Sequence, residues 1–300
     1  GERPAGSVSY TGPILALHQE MPALTQIPLE RSTQRVLVLG ASGMLGSTLV
    51  RELRRRPDIQ ILGTTRSVRS LPATDREDLE PHLVEIEDVT DMTAIRPHLA
   101  NSDVVVNAVG VIKQASKVSD HVETVRINAL LPQLLAKECN QAGARFIQIS
   151  TDCVFSGRTG GYSEDCIPDP VDFYGRSKLL GEVYAPALTL RTSIIGHEVT
   201  RHASLVDWFL NQPETKVQGF AKAIYTGVTT LEFARMLADV VLPRSDLSGL
   251  YHVASSAISK FELLGLVSEV YGWKGVIVRS DSFQCDRSMV ADRLLAATGY

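Results

Sequence analysis

A run of four apolar residues, Val36 to Leu39, breaks straight into Gly40-Ala-Ser-Gly43-Met-Leu-Gly46, and a helical stretch from about Met44 to Arg55 follows until Pro57 stops it. That order predicts a buried strand, a tight turn and a helix whose N-terminus faces the turn. The first glycine permits the turn, the second lets the backbone approach a pyrophosphate, and the third lets helix and strand pack closely. The helix start adds free N–H groups and the positive end of its dipole. Ser42, Met44 and Leu45 complete the candidate phosphate-binding positions. The spacing is Gly-x-x-Gly-x-x-Gly, not Gly-x-Gly-x-x-Gly. A glycine triplet alone is as readily a structural turn, and the flanking strand and helix decide for the dinucleotide.

The next strand, Ile59 to Thr64, ends in Thr64-Thr65-Arg66-Ser67. A site for NAD usually places Asp or Glu there, about 20 residues past the glycines, to hold the ribose 2′-hydroxyl. An arginine among hydroxyls suits a 2′-phosphate instead, so NADPH is favoured and NADH is the alternative. The competing reading of Arg66 is an ordinary surface arginine.

From Gln34 onward, strand-like and helix-like segments alternate. Apolar runs at 83–86, 104–108, 145–149 and 188–192 read as buried strands, and 91–99, 119–141 and the stretch from about 173 as helices. Alternation of this kind predicts an α/β fold, a Rossmann-type doubly wound parallel sheet. After about 193 the pattern loosens into helical segments near 203–211, 229–241 and 259–271, with short strand-like pieces at 250–253 and 276–278. The expected organisation is a flexible arm over 1–33, a nucleotide-binding domain over 34–192 and a smaller, mainly substrate-binding part over 193–300. The arm holds four prolines and three glycines without periodicity.

A net charge of −4 and a pI near 6.0 give no basic face for nucleic acid. The four cysteines have no metal-ligand spacing and read as reduced thiols of a cytoplasmic protein. No apolar run is long enough to span a bilayer, so no membrane partner is expected.

Residues 150–182 carry the chemistry: Ser150-Thr-Asp-Cys-Val-Phe-Ser-Gly157, then Tyr174-Gly-Arg-Ser-Lys178-Leu-Leu-Gly-Glu182. A tyrosine four residues before a lysine puts both on one helix face. The ammonium is expected to lower the phenol's pKa and make Tyr174 a usable proton donor or acceptor. Thr151 ends the strand at 145–149, at the carboxyl end where open α/β sheets bind ligands. Alone, the pair could be an exposed tyrosine beside a solvated lysine.

With both motifs in place the chain resembles the extended short-chain dehydrogenase/reductase family, and within it the dTDP-4-dehydrorhamnose reductases. The resemblance runs on Gly40, Gly43 and Gly46; Asn107-Ala-Val-Gly110; Asn128; Ser150 to Gly157; Tyr162-Ser-Glu-Asp165; Pro170; Tyr174 to Lys178; and Leu190-Arg-Thr192. It implies an NAD(P)H-dependent reductase of a nucleotide-linked 4-keto-6-deoxy sugar, with Thr151, Tyr174 and Lys178 as the catalytic trio. It further implies that the glycines hold the pyrophosphate, Asp88 and Val89 lie against the adenine, and Asn107, Ala108, Val109 and Gly110 pass beside the ribose. Asn128 would support the catalytic lysine, and Val111, Cys153, Val154, Phe155 and Arg191 would meet the substrate. Cys153 stands where the family usually has an aromatic residue. The region of His197, Arg201, His202, Trp208 and Lys222 should face the sugar nucleotide, whereas His252 reads as a structural histidine. A homodimer is an open expectation. The alternatives are a nucleotide-sugar epimerase, or a non-catalytic NADP-binding regulatory subunit like that of methionine adenosyltransferase.

Overall fold

β1 (Gln34–Leu39) runs through the middle of a seven-stranded parallel sheet, and period-two geometry sends its side chains to two different cores. Val36 and Val38 point to one face and Leu37 and Leu39 to the other, all 1% exposed or less. The computed structural model describes residues 33–112, 120–200, 204–212 and 216–300. The expected N-terminal arm lies outside the described residues, apart from Thr33. After β1 come α1 (Met44–Leu53), β2 (Ile59–Thr65), α2 (Ala73–Leu79), β3 (Leu83–Glu85), α3 (Met92–Ala100), β4 (Val104–Asn107) and α4 (His121–Val125). Then follow α5 (Leu131–Ala142), β5 (Arg145–Thr151), α6 (Phe173–Leu180) and β6 (Leu188–Thr192).

Beyond β6 the chain forms β7 (Ile194–Ile195), α7 (Leu205–Leu210), β8 (Lys216–Tyr225), β9 (Val228–Thr229) and α8 (Thr230–Met236). β10 (Gly249–Val253), β11 (Ile258–Ser259), α9 (Lys260–Tyr271), β12 (Val276–Asp286) and α10 (Asp292–Thr298) complete it. The main sheet has the order β10-β6-β5-β4-β1-β2-β3. Strand order reverses between β1 and β4, and that switch point opens the crevice in which such sheets bind ligands. The Rossmann-type expectation is met, with its seventh strand drawn from late in the chain.

On one face Leu45, Leu49 and Leu53 of α1 pack with Phe233 and Met236 of α8 and Leu294 of α10 over Val36, Val38, Val104 and Val106. Each such leucine contributes about 1.5–3 kcal/mol by burial. On the other face Ile95 and Leu99 of α3 and Leu131 and Leu135 of α5 cover Leu37, Leu39, Val105 and Phe146. A third core joins α7, α9 and β8 through Phe209, Leu263, Leu264, Val217 and Tyr225.

The expected helix over 119–141 is two helices joined by a π-helical turn at Arg126–Leu130. Pro132 has no N–H to return to the Asn128 carbonyl, so the turn widens there. The backbone of Gly181 occupies the space beside that carbonyl, which a Cβ would invade. The strand expected at 276–278 extends to Asp286, and β8, its ten-residue partner, was not expected at all. The charged helix α2 was also missed. Ion pairs from Arg51 to Asp75 and from Arg51 and Arg54 to Asp78 hold it, and period alone does not reveal them.

Candidate active site

The carboxyl ends of β1, β2, β4, β5 and β6 open on one cleft of about 900 Å³, closed on the far side by residues of β8, α9 and β12. At its nucleotide end Gly40 holds φ +84°, and a Cβ there would meet Val109 at 3.0 Å. No side chain caps the N-terminus of α1, so its first N–H groups face the cleft beside Ser42, Gly43, Met44 and Leu45 unclaimed by any cap. Gly46 is not at the surface of the cleft. A Cβ on it would run into the Gly40 carbonyl, so its role is close helix–strand packing rather than phosphate contact.

At the end of β2, Thr65 is 3% exposed and its Oγ1 has no hydrogen-bond partner. Arg66 follows it into the cleft, exposed and without a charge partner among the described residues. An orphaned buried hydroxyl beside an unpaired guanidinium is the arrangement a ribose 2′-phosphate would complete. Across from it, Asp88 accepts hydrogen bonds from Thr90 N at 2.9 Å and Thr90 Oγ1 at 2.7 Å and pairs with Arg126. The Thr90 hydroxyl above all holds the Asp88 carboxyl below the usual range. Val89 and Arg126 line the same end, and Arg126 had no sequence signal.

Asn107 fixes the bend at the end of β4. Its Oδ1 accepts from Val109 N at 3.1 Å and its Nδ2 donates to Gln148 Oε1 at 2.8 Å. Ala108, Val109, Gly110 and Val111 then run along the cleft wall. Asn128 does not touch Lys178 through any hydrogen bond. Its Oδ1 accepts from Val111 N at 2.8 Å, and its Nδ2 donates to Val111 O at 3.0 Å and to Ser177 Oγ at 3.1 Å. Its support for the lysine is therefore indirect, through the neighbouring serine of α6 and the 110–111 backbone.

Thr151, Tyr174 and Lys178 all line the cleft. Asp172 caps α6, its Oδ1 accepting from Gly175 N at 2.8 Å, and so sets the start of the helix that carries both residues. Lys178 is 7% exposed and its Nζ donates to Ile149 O at 2.8 Å, which ties it to β5. Burial brings its pKa down to about 8, with the charge of Glu182 opposing. Thr151 Oγ1 lies 3.1 Å from Asp152 Oδ1 and accepts from Cys153 N at 3.1 Å.

The expected lowering of the Tyr174 pKa is not found. Burial pushes the phenol up, helped by Cys153, Asp152 and Asp172, while the Thr151 hydroxyl pulls the other way. The phenol therefore holds its proton, a state suited to donating one rather than to abstracting one.

Three substrate candidates are displaced from the cleft. Arg191 is 1% exposed and pairs bidentately with Glu182, both contacts 2.7 Å, with His252 at 3.4 Å. A central strand position without water leaves such a guanidinium no choice but a buried carboxylate. Val154 and Phe155 are fully buried behind the site, Phe155 stacked on Tyr162 at 4.2 Å. Cys153 does line the cleft, and burial pushes its thiol up to about 12. His197 contacts Asp207 at 2.5 Å and Tyr271 at 2.6 Å, Trp208 is exposed, and Lys222 sits 4.0 Å from Asp281; none of the three lines the cleft. Arg201 and His202 lie outside the described residues. His252 is a buried structural histidine whose Nδ1 donates to Val290 O at 3.1 Å, and burial beside Arg191 brings its pKa down to about 4. Sequence reasoning missed Tyr225, Lys260, Cys285 and Arg287 on the far wall, because they come from three separate segments with no shared spacing.

Comparison with known proteins agrees with this fold. The family model for the RmlD substrate binding domain matches residues 34–279. The probable low-salt glycan biosynthesis reductase Agl14 of Haloferax volcanii is 31% identical over 253 residues, 81% of this chain and 82% of that protein. Methionine adenosyltransferase 2 subunit beta of Danio rerio is 28% identical over 257 residues, 79% of this chain and 74% of that protein. The crystal structure of a hypothetical dTDP-4-dehydrorhamnose reductase from Sulfolobus tokodaii superposes with a TM-score of 0.72 at 26% identity, covering 88% of this chain and 94% of that one. The chain belongs to the RmlD substrate-binding-domain family, within the NAD(P)-dependent oxidoreductases of the extended short-chain dehydrogenase/reductase type.

Proposed function

We propose that the protein reduces the ketone of a nucleotide-linked 4-keto-6-deoxy sugar, with NADPH as the favoured reductant and NADH as the alternative. The observation that carries this reading is that Thr151, Tyr174 and Lys178 share one cleft with an uncapped glycine turn and with Arg66. The cofactor, when bound, supplies the hydride. Tyr174 keeps its proton until an alkoxide develops beside it and then donates it. Thr151, whose hydroxyl acts on the same phenol, would hold the oxygen where negative charge appears. Lys178, held by the Ile149 carbonyl in the same cleft, would hydrogen-bond the nicotinamide ribose and supply positive charge to the developing anion. Arg66 and Thr65 would hold the 2′-phosphate, and the α1 N-terminus the pyrophosphate.

A second reading has a relative behind it: the kinship with a methionine adenosyltransferase subunit supports a partner-binding role in place of turnover. An epimerase stays open as well and differs in keeping its cofactor bound through the cycle. The deciding experiment follows NADPH and NADH oxidation against dTDP-, UDP- and GDP-linked 4-keto-6-deoxy sugars. Oxidation with one of them establishes the reductase. Cofactor binding without oxidation, together with stable co-purification of a methionine adenosyltransferase, would replace it with the subunit reading.

A further inference from the structure

The far wall of the cleft contains a group of polar side chains that nothing in the proton-transfer step uses. Tyr225, the last residue of β8, is 3% exposed, and its Oη has no hydrogen-bond partner. Lys260, the first residue of α9, places its Nζ 3.6 Å over the Tyr225 ring. Among the described residues, no carbonyl or carboxylate accepts a hydrogen bond from it. Arg287, just past β12, donates from Nε to Phe155 O at 2.9 Å and from Nη1 to Cys153 Sγ at 3.4 Å, which leaves Nη2 unclaimed. All three line the same cleft as Tyr174.

The carboxylate that all three share does not settle them. Asp152 is 8% exposed and close enough for its charge to act on Lys260, Arg287 and Tyr225, yet neither cation comes within ion-pairing distance of it. Its Oδ1 accepts from Thr151 Oγ1 at 3.1 Å. Burial also opposes its ionisation. Two half-buried cations and an orphaned phenol therefore share the charge of Asp152, and the more weakly acting Asp172 reaches Arg287 alone, while Lys260 Nζ, Arg287 Nη2 and Tyr225 Oη keep no hydrogen-bond acceptor or donor among the described residues. Desolvated cations and hydroxyls without acceptors are costly, and an incoming acceptor recovers that cost. The location is equally specific. Arg287 touches the Cys153 thiol, and Cys153 stands beside Tyr174, so this corner faces the sugar close to the carbon being reduced.

We propose that Tyr225, Lys260 and Arg287 form a subsite for an acidic substituent, a carboxylate or its equivalent, carried by the sugar itself near the reacting carbon. The proposal rests on the keto-sugar reading of the cleft and goes beyond it, since a plain 4-keto-6-deoxy sugar has no such group. The other source of an anion is the diphosphate of the carrier nucleotide, and the experiment separates the two.

The test is calorimetric binding, with cofactor present, of UDP- and dTDP-linked glucuronic acid, of the same carriers linked to glucose, and of UDP and dTDP alone. The expected result is that the acidic sugar binds at least about tenfold more tightly than the neutral one, as a charge-assisted pair would give. Lys260→Gln and Arg287→Gln should each erase that preference and leave neutral-sugar and NADPH binding intact. Tyr225→Phe should reduce it less. Equal affinity for acidic and neutral sugars overturns the proposal, even where a variant does not fold. So do equal losses for the sugars and the bare nucleoside diphosphates, which would assign the corner to the carrier. So does failure of every probe while NADPH still binds. Turnover of a neutral keto sugar, with no gain in affinity for the acidic one, would sink this proposal and keep the reductase.

Discussion

At the nucleotide end the cleft is lined by backbone and by residues such as Gly40, Ser42 and Gly43 that leave the backbone open, whereas at the sugar end it is walled by Tyr225, Lys260 and Arg287. The first end works because little stands in the way: an uncapped helix start and a turn that no Cβ could enter. The second works through long side chains held short of one another. A backbone site comes from one contiguous stretch and tolerates few sequences. A side-chain site can be assembled from distant segments and retuned one residue at a time.

The sharpest way to test that contrast is at the junction of the two ends. Tyr174→Phe should lower turnover about 10²–10⁴-fold while cofactor affinity, measured by fluorescence titration, stays near wild type. Near-normal turnover would remove the phenol from the chemistry. The next effect is on stability. Arg191→Leu strands the buried Glu182 carboxylate and should cost about 3–5 kcal/mol in urea unfolding, with no specific change in substrate preference. A shift in preference at unchanged stability would put Arg191 back among the substrate contacts.

Smaller again, Arg66→Ala should weaken NADPH about tenfold or more and leave NADH nearly unchanged, the loss of a charge-assisted contact to the 2′-phosphate. Equal losses would show that Arg66 does not read that group. The gentlest probe is pH. Lys178 gives up its proton near pH 8 in the folded chain, against 10.5 for an ordinary lysine. Activity measured as kcat/KM should then fall above about pH 8, approaching tenfold per unit. The same shift has the opposite sign for stability. Between those two values the unfolded chain binds a proton that the folded chain does not, so this group makes folding more favourable as pH rises. A loss of activity in that window that tracked unfolding would contradict the assignment.

The same contrast explains what could be read in the sequence. Gly40, Gly43 and Gly46 announced the nucleotide end because strand, turn and helix follow one another without a gap, and Tyr174 and Lys178 were legible because one helical turn separates them. Arg191 misled because an arginine next to a motif looks available. Only the packed sheet reveals that Glu182 has already claimed it. The pKa of Tyr174 went the other way for a related reason: spacing shows the lysine's charge and conceals the burial. Tyr225, Lys260 and Arg287 lie 35 and 27 residues apart and share no period, so no local pattern could have joined them. The pairing of β8 with β12 does it, and parallel pairing between strands so far apart is a property of the whole fold.

The position of β10 has a consequence for how the protein can be made and cut. Gly249–Val253 pairs with β6 and forms the edge of the main sheet, so β6, next to the strand that ends in Thr151, stays unpaired on that side until the chain as far as Val253 has left the ribosome. A fragment stopping at 192 would present Leu188, Leu190 and the bare backbone of β6 as an open, apolar edge, a template for aggregation rather than a free-standing nucleotide-binding module. The half proposed to grip the sugar thus also seals the edge of the half proposed to grip the cofactor, and exchanging one for that of a relative means carrying β10 along.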